Sequence, residues 1–424
     1  MDEAKSVFWE IQVTNQQRGR WVFAILLASC ILRIAAIGYV QNYQNPEDWE
    51  YGDIAENIVA GNGFSGSAFF LGMPLQPTSI KAPLYPYLLA FFLKFIPQPY
   101  LMLQLLQVLI SLAAGLMLYY FARTLFEHRI ALAALAFYGF HPTFIYIPTQ
   151  FLPLAIYLLH LGIGAWLWQR HRMTESSRYL IWFGVNAGFA MLQDTIFFSI
   201  CGAVAFTWLW QYRQNWKRLA KVWMLAFVPV LVMVAPWTIR NYQVHHEFVF
   251  IKSPVGYNLW RGNHPGATGT ARTMAGASID ETMSQDLQAQ LQQPAYTSEI
   301  AKDRLMGEAA KEFITSQPGE FFRISMKRLY YFWWFDPTHD KAKNPIYRIS
   351  YLLILFPGVC GAWMMRKHFR EHLPLYLHAM ILSAIYTITL IVPRYHMQID
   401  YFMIPFACIA FNQLYIGFRH RLKC

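Results

Sequence analysis

Charged residues are scarce in this chain of 424 residues, where they make up only 14% of the total. A soluble domain carries about 25% charged residues. Hydrophobic residues make up 56%, and they fall in runs of roughly 20 residues, the length that crosses a bilayer core of about 30 Å. This composition excludes an ordinary soluble domain and predicts an all-α polytopic membrane protein.

Cysteines are also few, and the sequence holds no set of residues spaced to bind a metal. The five cysteines stand singly, at Cys30, Cys201, Cys360, Cys408 and Cys424, so neither a disulfide framework nor a zinc site is indicated. His245 and His246 are adjacent and therefore point in different directions, and no HExxH pattern occurs. We expect no cofactor, although a divalent metal is left open.

Nucleotide-binding signatures are missing as well. No P-loop occurs, which argues against an ATP-driven pump, and no Gly-rich fingerprint lies on a strand–helix turn. The net charge of +11 could indicate a nucleic-acid partner. We reject that reading because the basic residues lie at the ends of the apolar segments, as in membrane proteins generally.

The apolar runs predict ten transmembrane helices. They lie near 21–40, 100–122, 129–147, 150–168, 179–193, 195–212, 222–239, 345–365, 373–392 and 400–418. Placing both termini in the cytoplasm puts most flanking Lys and Arg residues inside, and leaves Arg394 as the one basic residue of the short outside loops. The pair 179–193 and 195–212 has almost no turn between its members. If the pair were a single bent element, the predicted membrane orientation of every later segment would be inverted.

Three regions follow from this topology. Residues 1–239 form an N-terminal transmembrane module whose first outside loop is 41–99. Residues 240–343 form a second outside region, and 344–424 hold the C-terminal transmembrane helices. Both long loops are predicted to carry interfacial helices, so the active site of this multi-pass protein would face the periplasm or the outside of the cell membrane.

Short helices are predicted within the two outside loops. The segment 84–97 is apolar but too short to cross, and reads as a re-entrant or interfacial helix. Helices are also predicted over 53–60 and 298–314, and a basic, aromatic interfacial helix over 321–335. The remainder of the second loop, rich in Gly, Pro and Asn, predicts irregular structure with short strands.

The first outside loop concentrates carboxylates at the mouth of the bundle. Glu47, Asp48, Glu50 and Asp53 lie there among Trp49 and Tyr51, followed by the single lysine Lys81. A carboxylate can take the proton of an attacking hydroxyl, an effect of roughly 10²–10⁴-fold. Cations can stabilise a departing lipid phosphate in a water-poor site. The alternative is that these acids are ordinary solvated loop charge.

Short motifs along the chain resemble those of the GT-C glycosyltransferases, in particular the protein O-mannosyltransferases and the lipid A aminoarabinose transferases. The matching residues are Glu47-Asp48-x-x-Tyr51, Ala55, Gly61-x-Gly63-Phe64, Lys81-Ala82-Pro83-Leu84-Tyr85-Pro86, Pro236-Trp237-x-x-Arg240-Asn241-Tyr242, Gly262-Asn263, Pro318-x-x-Phe321 and Arg394-Tyr395. The resemblance implies a GT-C-like fold, a sugar donor on a polyprenyl phosphate, an acidic base in the first outside loop, and inversion at the anomeric carbon.

The resemblance also implies roles for single residues. Asp48 is the predicted base. Glu47 is an alternative because the family pair is usually Asp-Glu, and Asp53 is a third candidate that could instead favour a helix N-terminus. Lys81 matches the family lysine that contacts donor phosphate, and its alternative is an interfacial lysine. Further phosphate ligands are predicted at Arg394, Arg240 and Arg261, and substrate contacts at Tyr51, Tyr85, Asn263, His264, Tyr395 and His396.

The expected partners are a polyprenyl-phosphate-linked sugar, membrane lipids, and a hydroxyl of an acceptor lipid, glycan or protein. Two other functions share these features. A flippase of a lipid-linked sugar would show midplane acids and repeated halves, and neither is visible. A polysaccharide polymerase or ligase would use a lipid diphosphate donor. Arg33, inside the first span, is a functional candidate by default, or else pairs within the bundle.

Overall fold

The computed structural model describes residues 15–67 and 74–421, and in them the chain is almost entirely helical. The helices of the N-terminal half are α1 Asn15–Val40, α2 Trp49–Val59, α3 Leu84–Phe95, α4 Pro99–Leu125, α5 His128–Phe140, α6 Pro142–Tyr146, α7 Leu154–Thr174, α8 Ser177–Gln193, α9 Phe198–Tyr212 and α10 Trp216–His245. Those that follow are α11 Val255–Gly262, α12 Gln285–Leu291, α13 Glu299–Ser316, α14 Pro318–Trp333, α15 Pro345–Met364, α16 Phe369–Ile388 and α17 Met397–Arg421. The two termini, predicted to be cytoplasmic and including Lys5 and Lys423, lie outside the described residues.

The prediction of a polytopic membrane protein is confirmed. Six helical segments of the described chain are long and apolar enough to cross a membrane, or seven when α5 and the bent stretch Pro142–Thr149 count as one span. One of the six, Pro345–Ile388, contains both α15 and α16. A helix lies at every position where a span was predicted, but the count of ten stays a prediction.

The chain reverses between α8 and α9. The ring centroids of Phe183 in α8 and Trp208 in α9 are 6.0 Å apart, although these residues lie on opposite sides of Asp194 in the sequence. Asp194 accepts a hydrogen bond from the backbone N–H of Ile196 and so caps the short turn Thr195–Phe197. The two helices are therefore separate elements rather than one bent helix.

Arg33 joins three helices inside the bundle. Its side chain is fully buried, and it donates to the hydroxyl of Ser111 in α4 at 3.1 Å and to the carbonyl of Gly139 in α5 at 2.9 Å. The guanidinium also lies 5.4 Å from the ring centroid of Tyr138. Neutral oxygens thus hold this arginine, although its Nη2 finds no hydrogen-bond partner among the described residues. Pairing within the bundle is one of the two roles expected for it.

The first long loop, predicted to lie outside, contains two short helices and two short paired strands. Strands β1 (Ser65–Gly66) and β2 (Gln76–Pro77) pair antiparallel between α2 and α3. Helix α2 begins at Trp49, four residues before the predicted start at 53, so Glu50 also lies on the helix. Helix α3 is short and apolar, as predicted for 84–97.

The region 240–343, predicted to lie outside, departs more from prediction. Helix α10 continues beyond the predicted span end at 239, and α11 occupies a stretch predicted to be irregular. The strands expected there are present only as isolated bridges, one of which joins Thr270 to Ile391. Helix α13 matches the prediction for 298–314, and Ser298 caps it by accepting from the N–H of Ala301 at 3.1 Å.

Candidate active site

A buried carboxylate joins the two loop regions that were predicted to lie outside. Glu299, only 2% exposed at the start of α13, accepts a hydrogen bond from the backbone N–H of Ser79 at 3.1 Å. It also accepts from the hydroxyls of Thr78 and Ser253, while the N–H of Ser253 donates to the carbonyl of Ser79 at 2.9 Å. Burial raises the pKa of Glu299, although these donors oppose the shift. We call Thr78, Ser79, Ser253 and Glu299 the clasp.

The clasp brings two lysines from distant parts of the sequence to one place. Lys81 follows Ser79 by two residues, and Lys252 directly precedes Ser253. The ammonium of Lys81 lies 3.2 Å from the Glu50 carboxylate, and that of Lys252 lies 3.0 Å from Asp194. With the nearby Arg394, these four side chains form what we call the charged cluster.

The charged cluster is partly shielded from water, and this strengthens its ion pairs. Burial lowers the pKa of Lys81, although Glu50 opposes the shift. Burial favours the neutral form of Glu50, but the ammonium of Lys81, with Arg394 contributing, lowers the pKa of the carboxyl. Since the pKa of Glu50 falls below its usual value, this carboxylate holds its charge and binds a proton weakly.

Aromatic rings surround the cations of the cluster. The Lys81 ammonium lies 5.0 Å from the ring centroid of Tyr51, which packs edge-on against the buried Tyr85 at 5.2 Å. Arg394 lies 5.7 Å from the centroid of Tyr395, a ring that stacks on Tyr386. The structure therefore brings the predicted residues Tyr51 and Tyr395 to the cations, and places Tyr85 behind them.

The three predicted acids have different environments. Asp48 precedes α2, and its Oδ2 accepts one hydrogen bond, from the Tyr100 hydroxyl at 2.6 Å. A Cβ on Gly52 would come within 2.2 Å of the Asp48 carboxylate oxygens, so glycine makes room for that carboxylate. Glu47 is exposed. Asp53 accepts from the Ser67 N–H at 2.9 Å and so holds the end of β1 in place.

Two of the predicted phosphate ligands are already engaged elsewhere. Arg240 donates to the carbonyls of Thr78 at 2.7 Å and Phe64 at 2.8 Å, so it fastens the first loop to α10. Arg261 lies 3.2 Å from the carboxylate of Asp280. That Arg240 and Arg261 bind the donor phosphate stays a prediction.

Three of the predicted substrate contacts are buried. Asn263 donates to a backbone carbonyl of α16 at 2.9 Å. His264 stacks on Trp260 with ring centroids 4.5 Å apart. The Nδ1 of His396 lies 2.6 Å from the Asp400 carboxylate. These internal contacts occupy all three side chains, so their role as substrate contacts stays a prediction.

Sequence reasoning missed three of the five residues of the charged cluster. Glu50 was noted among the acids but not chosen, and neither Asp194 nor Lys252 was considered. Asp194 lies between two apolar runs and Lys252 in a loop read as irregular, 58 residues apart. Nothing in a single sequence pairs two such positions. In the described ranges no cluster of three or more His, Cys, Asp or Glu side chains could hold a metal.

A family model and solved structures place this architecture among known proteins. Residues 80–239 match the family described as dolichyl-phosphate-mannose-protein mannosyltransferase. An oligosaccharyltransferase from Archaeoglobus fulgidus, solved with an inhibitory peptide and a dolichol-phosphate, superposes with a TM-score of 0.55 at 14% identity, covering 96% of this chain and 52% of its own. This chain has the GT-C fold.

The GT-C resemblance seen in the sequence is thereby confirmed. The same oligosaccharyltransferase in complex with Zn and sulfate gives a TM-score of 0.54 at 14% identity, with 95% of this chain and 50% of that chain covered. ArnT from Cupriavidus metallidurans bound to undecaprenyl phosphate gives 0.41 at 13% identity, with coverages of 92% and 77%.

The extent of these matches limits what they say about activity. This GT-C chain spans about half the length of the archaeal chains. Comparison of its sequence with curated proteins gives no significant match. The comparisons therefore give the fold, and the activity has to be argued from the site.

Proposed function

We propose that this protein is a membrane glycosyltransferase that moves a sugar from a polyprenyl-phosphate donor to an acceptor hydroxyl at the outer face of the membrane. The observation that carries the proposal is the charged cluster. Lys81, Lys252 and Arg394 converge from three distant segments on one site, next to Glu50 in the first turn of α2, the helix that Asp48 precedes. The dolichol-phosphate bound by the archaeal neighbour supports a lipid phosphate as the donor.

In the proposed reaction, the donor phosphate lies against Lys81 and Arg394, with its isoprenoid tail along the bundle. The acceptor hydroxyl gives its proton to Asp48 as its oxygen forms a bond to the anomeric carbon. The bond from that carbon to the phosphate oxygen breaks, and the electron pair leaves with the lipid phosphate. Attack from the face opposite the phosphate inverts the anomeric carbon, and the cations stabilise the charge of the leaving group.

The contacts of the carboxylates favour Asp48 over Glu50 as the base. Glu50 faces an ammonium at 3.2 Å, and its lowered pKa makes it a poor proton acceptor. Asp48 faces a single neutral donor, the hydroxyl of Tyr100, and its side chain is partly exposed. It also lies within one helical turn of Tyr51, whose ring contacts Lys81. We therefore propose that Glu50 positions Lys81.

Release of free polyprenyl phosphate tests the proposal. The purified protein would be incubated with a polyprenyl-phosphate sugar and an acceptor, and the freed lipid phosphate measured. A flippase would leave the donor intact, so an absence of release contradicts a glycosyltransferase. Transfer from a nucleotide sugar without any lipid carrier would contradict the proposed donor.

A further inference from the structure

Three chain segments meet beside the charged cluster, at Thr270, Thr338 and Ile391. Thr270 and Ile391 form an isolated parallel bridge. The hydroxyl oxygens of Thr270 and Thr338 lie 2.8 Å apart, and both threonines are buried. We call these three residues the junction. It fixes the starting points of three short stretches that run on from it.

Each stretch supplies basic side chains within three residues of the junction. Arg272 follows Thr270, His339 and Lys341 follow Thr338, and Arg394 follows Ile391. The backbone N–H of Lys341 donates to Nδ1 of His339 at 3.2 Å, which leaves the proton of the neutral ring on Nε2. We call Arg272, His339 and Lys341 the basic trio.

Among the described residues, the trio and Arg394 have no carboxylate partner. In residues 15–67 and 74–421, no Asp or Glu oxygen lies within 4.0 Å of the charged nitrogens of Arg272, Lys341 or Arg394. The two acids closest to His339 in the sequence are occupied, because Asp336 accepts from the Thr338 N–H and hydroxyl, and Asp340 pairs with Lys343 at 2.9 Å. Lys81 and Lys252, by contrast, each have a carboxylate partner.

The electrostatics agree with an excess of positive charge at this place. Burial, the nearby Lys341 and then Arg272 lower the pKa of His339 to about 4. Burial and Arg394 lower the pKa of Lys341. The Lys341 ammonium lies 4.9 Å from the ring centroid of Tyr146, a weak substitute for a counter-ion. A bound anion would relieve the mutual repulsion of these groups.

We infer that Arg272, His339 and Lys341 form a second anion subsite, which binds a phosphate group next to the donor phosphate held by Lys81 and Arg394. Its ligand chemistry is one phosphate, which could belong to the donor, as the second phosphate of a lipid diphosphate, or to an anionic acceptor. That the phosphate belongs to a donor or an acceptor rests on the proposed function. The subsite itself rests on the junction and the unpaired cations.

Binding of inorganic phosphate tests the subsite without any reaction. The full-length protein in lipid nanodiscs would be titrated with phosphate at constant ionic strength, and the thermal unfolding midpoint followed. We expect Lys341→Gln to weaken apparent phosphate binding about tenfold, and Lys341→Arg to restore it. Lys343→Gln is the matched control, since Lys343 carries the same charge two residues away and is exposed.

Binding at the donor site has to be separated from this signal. The same comparison in a Lys81→Gln background does so, and Lys341→Gln should still weaken phosphate binding there. An unchanged titration in Lys341→Gln, or an equal loss in Lys343→Gln, would overturn the subsite. Arg272→Gln is a second test, interpreted only where gel filtration shows a folded protein, because Arg272 also donates to the Gly276 carbonyl.

Transfer kinetics then distinguish the two sources of phosphate. If the second phosphate belongs to the donor, the wild type uses a lipid diphosphate sugar better than a monophosphate, and Lys341→Gln loses that preference. If the acceptor supplies it, Lys341→Gln raises the acceptor KM about tenfold and leaves the donor KM unchanged. If Lys341→Gln stays active and shows neither of these two changes, the inference is contradicted. A wild type without transfer would refute the proposed function and leave the phosphate titration valid.

Discussion

The buried arginines and the lysines of the charged cluster differ in the partners that compensate their positive charge. Arg33 in the bundle and Arg328 in α14 are fully buried and donate to neutral oxygens. Lys81 and Lys252 keep about a quarter and a third of their side chains exposed, and pair with carboxylates. We interpret the fully buried arginines, held by neutral oxygens, as structural, and we propose that the partly exposed ion pairs are the ones that a substrate displaces. Burial alone is therefore a poor guide to function here.

The largest effect is expected at Arg328. Its guanidinium donates to the carbonyls of Gly262 and Thr389 and to the side chains of Asn263 and Ser325. Arg328→Met leaves these acceptors unsatisfied at about 1–3 kcal/mol each. We expect folded protein to be lost, as measured by monodisperse yield on gel filtration.

The matched control for Arg328 lies on the same helix. Arg323 is exposed and pairs with Glu320, so Arg323→Met should fold normally because a surface ion pair contributes about 0–1 kcal/mol. A well-folded Arg328→Met protein would contradict the structural role of buried arginines in this comparison.

The next largest effect separates Asp48, which precedes α2, from Glu50 in its first turn. Asp48→Asn keeps the size of the side chain and removes its charge, so turnover should fall by at least about 10²-fold while the protein stays folded. Glu47→Gln should be milder, and Glu56→Gln on the exposed face of α2 is the control. Near-normal turnover in Asp48→Asn, with loss in Glu50→Gln, would reassign the base to the ion-paired acid.

A smaller loss is expected when the cations of the cluster are removed. Lys81→Ala and Arg394→Ala should each weaken donor use by roughly 10- to 100-fold, because a charge-assisted contact to phosphate contributes about 1.5–3 kcal/mol. Acceptor KM should change little. Lys94→Ala, an exposed lysine of α3, is the control. Unchanged donor KM in both variants would show that these cations do not exchange partners with a substrate.

The smallest effect is expected from single cysteines that report on which side of the membrane the cluster lies. Cysteines at Asn62 and Met274, in a background without native cysteines, should react with an impermeant thiol reagent in intact cells. Both positions are exposed, whereas Ser65 nearby is buried and would resist labelling on either side. Protection of both cysteines would place the charged cluster in the cytoplasm and refute transfer at the outer face.

Local signals in the sequence were enough for the fold. The apolar runs and the helices predicted over 298–314 and 321–335 follow from neighbouring residues alone, and helices are present there. The site was predictable only in part. Lys81, Asp48 and Arg394 come from motifs, but the partners Glu50, Asp194 and Lys252 depend on contacts between segments far apart in the chain. The contact of His396 with Asp400 was likewise not predictable, because nothing in the sequence marks Asp400 as its partner in the last span.

The clasp also bears on the order in which the protein assembles. Glu299 contacts Thr78 and Ser79 across sequence separations of 221 and 220 residues. Contacts of such high order form late, because a long loop must close before they contribute. During membrane insertion the loop between α1 and α4 would therefore wait, with Lys81 unplaced, until the chain through α13 has been made. Truncated or stalled chains would insert their early helices yet hold no assembled charged cluster.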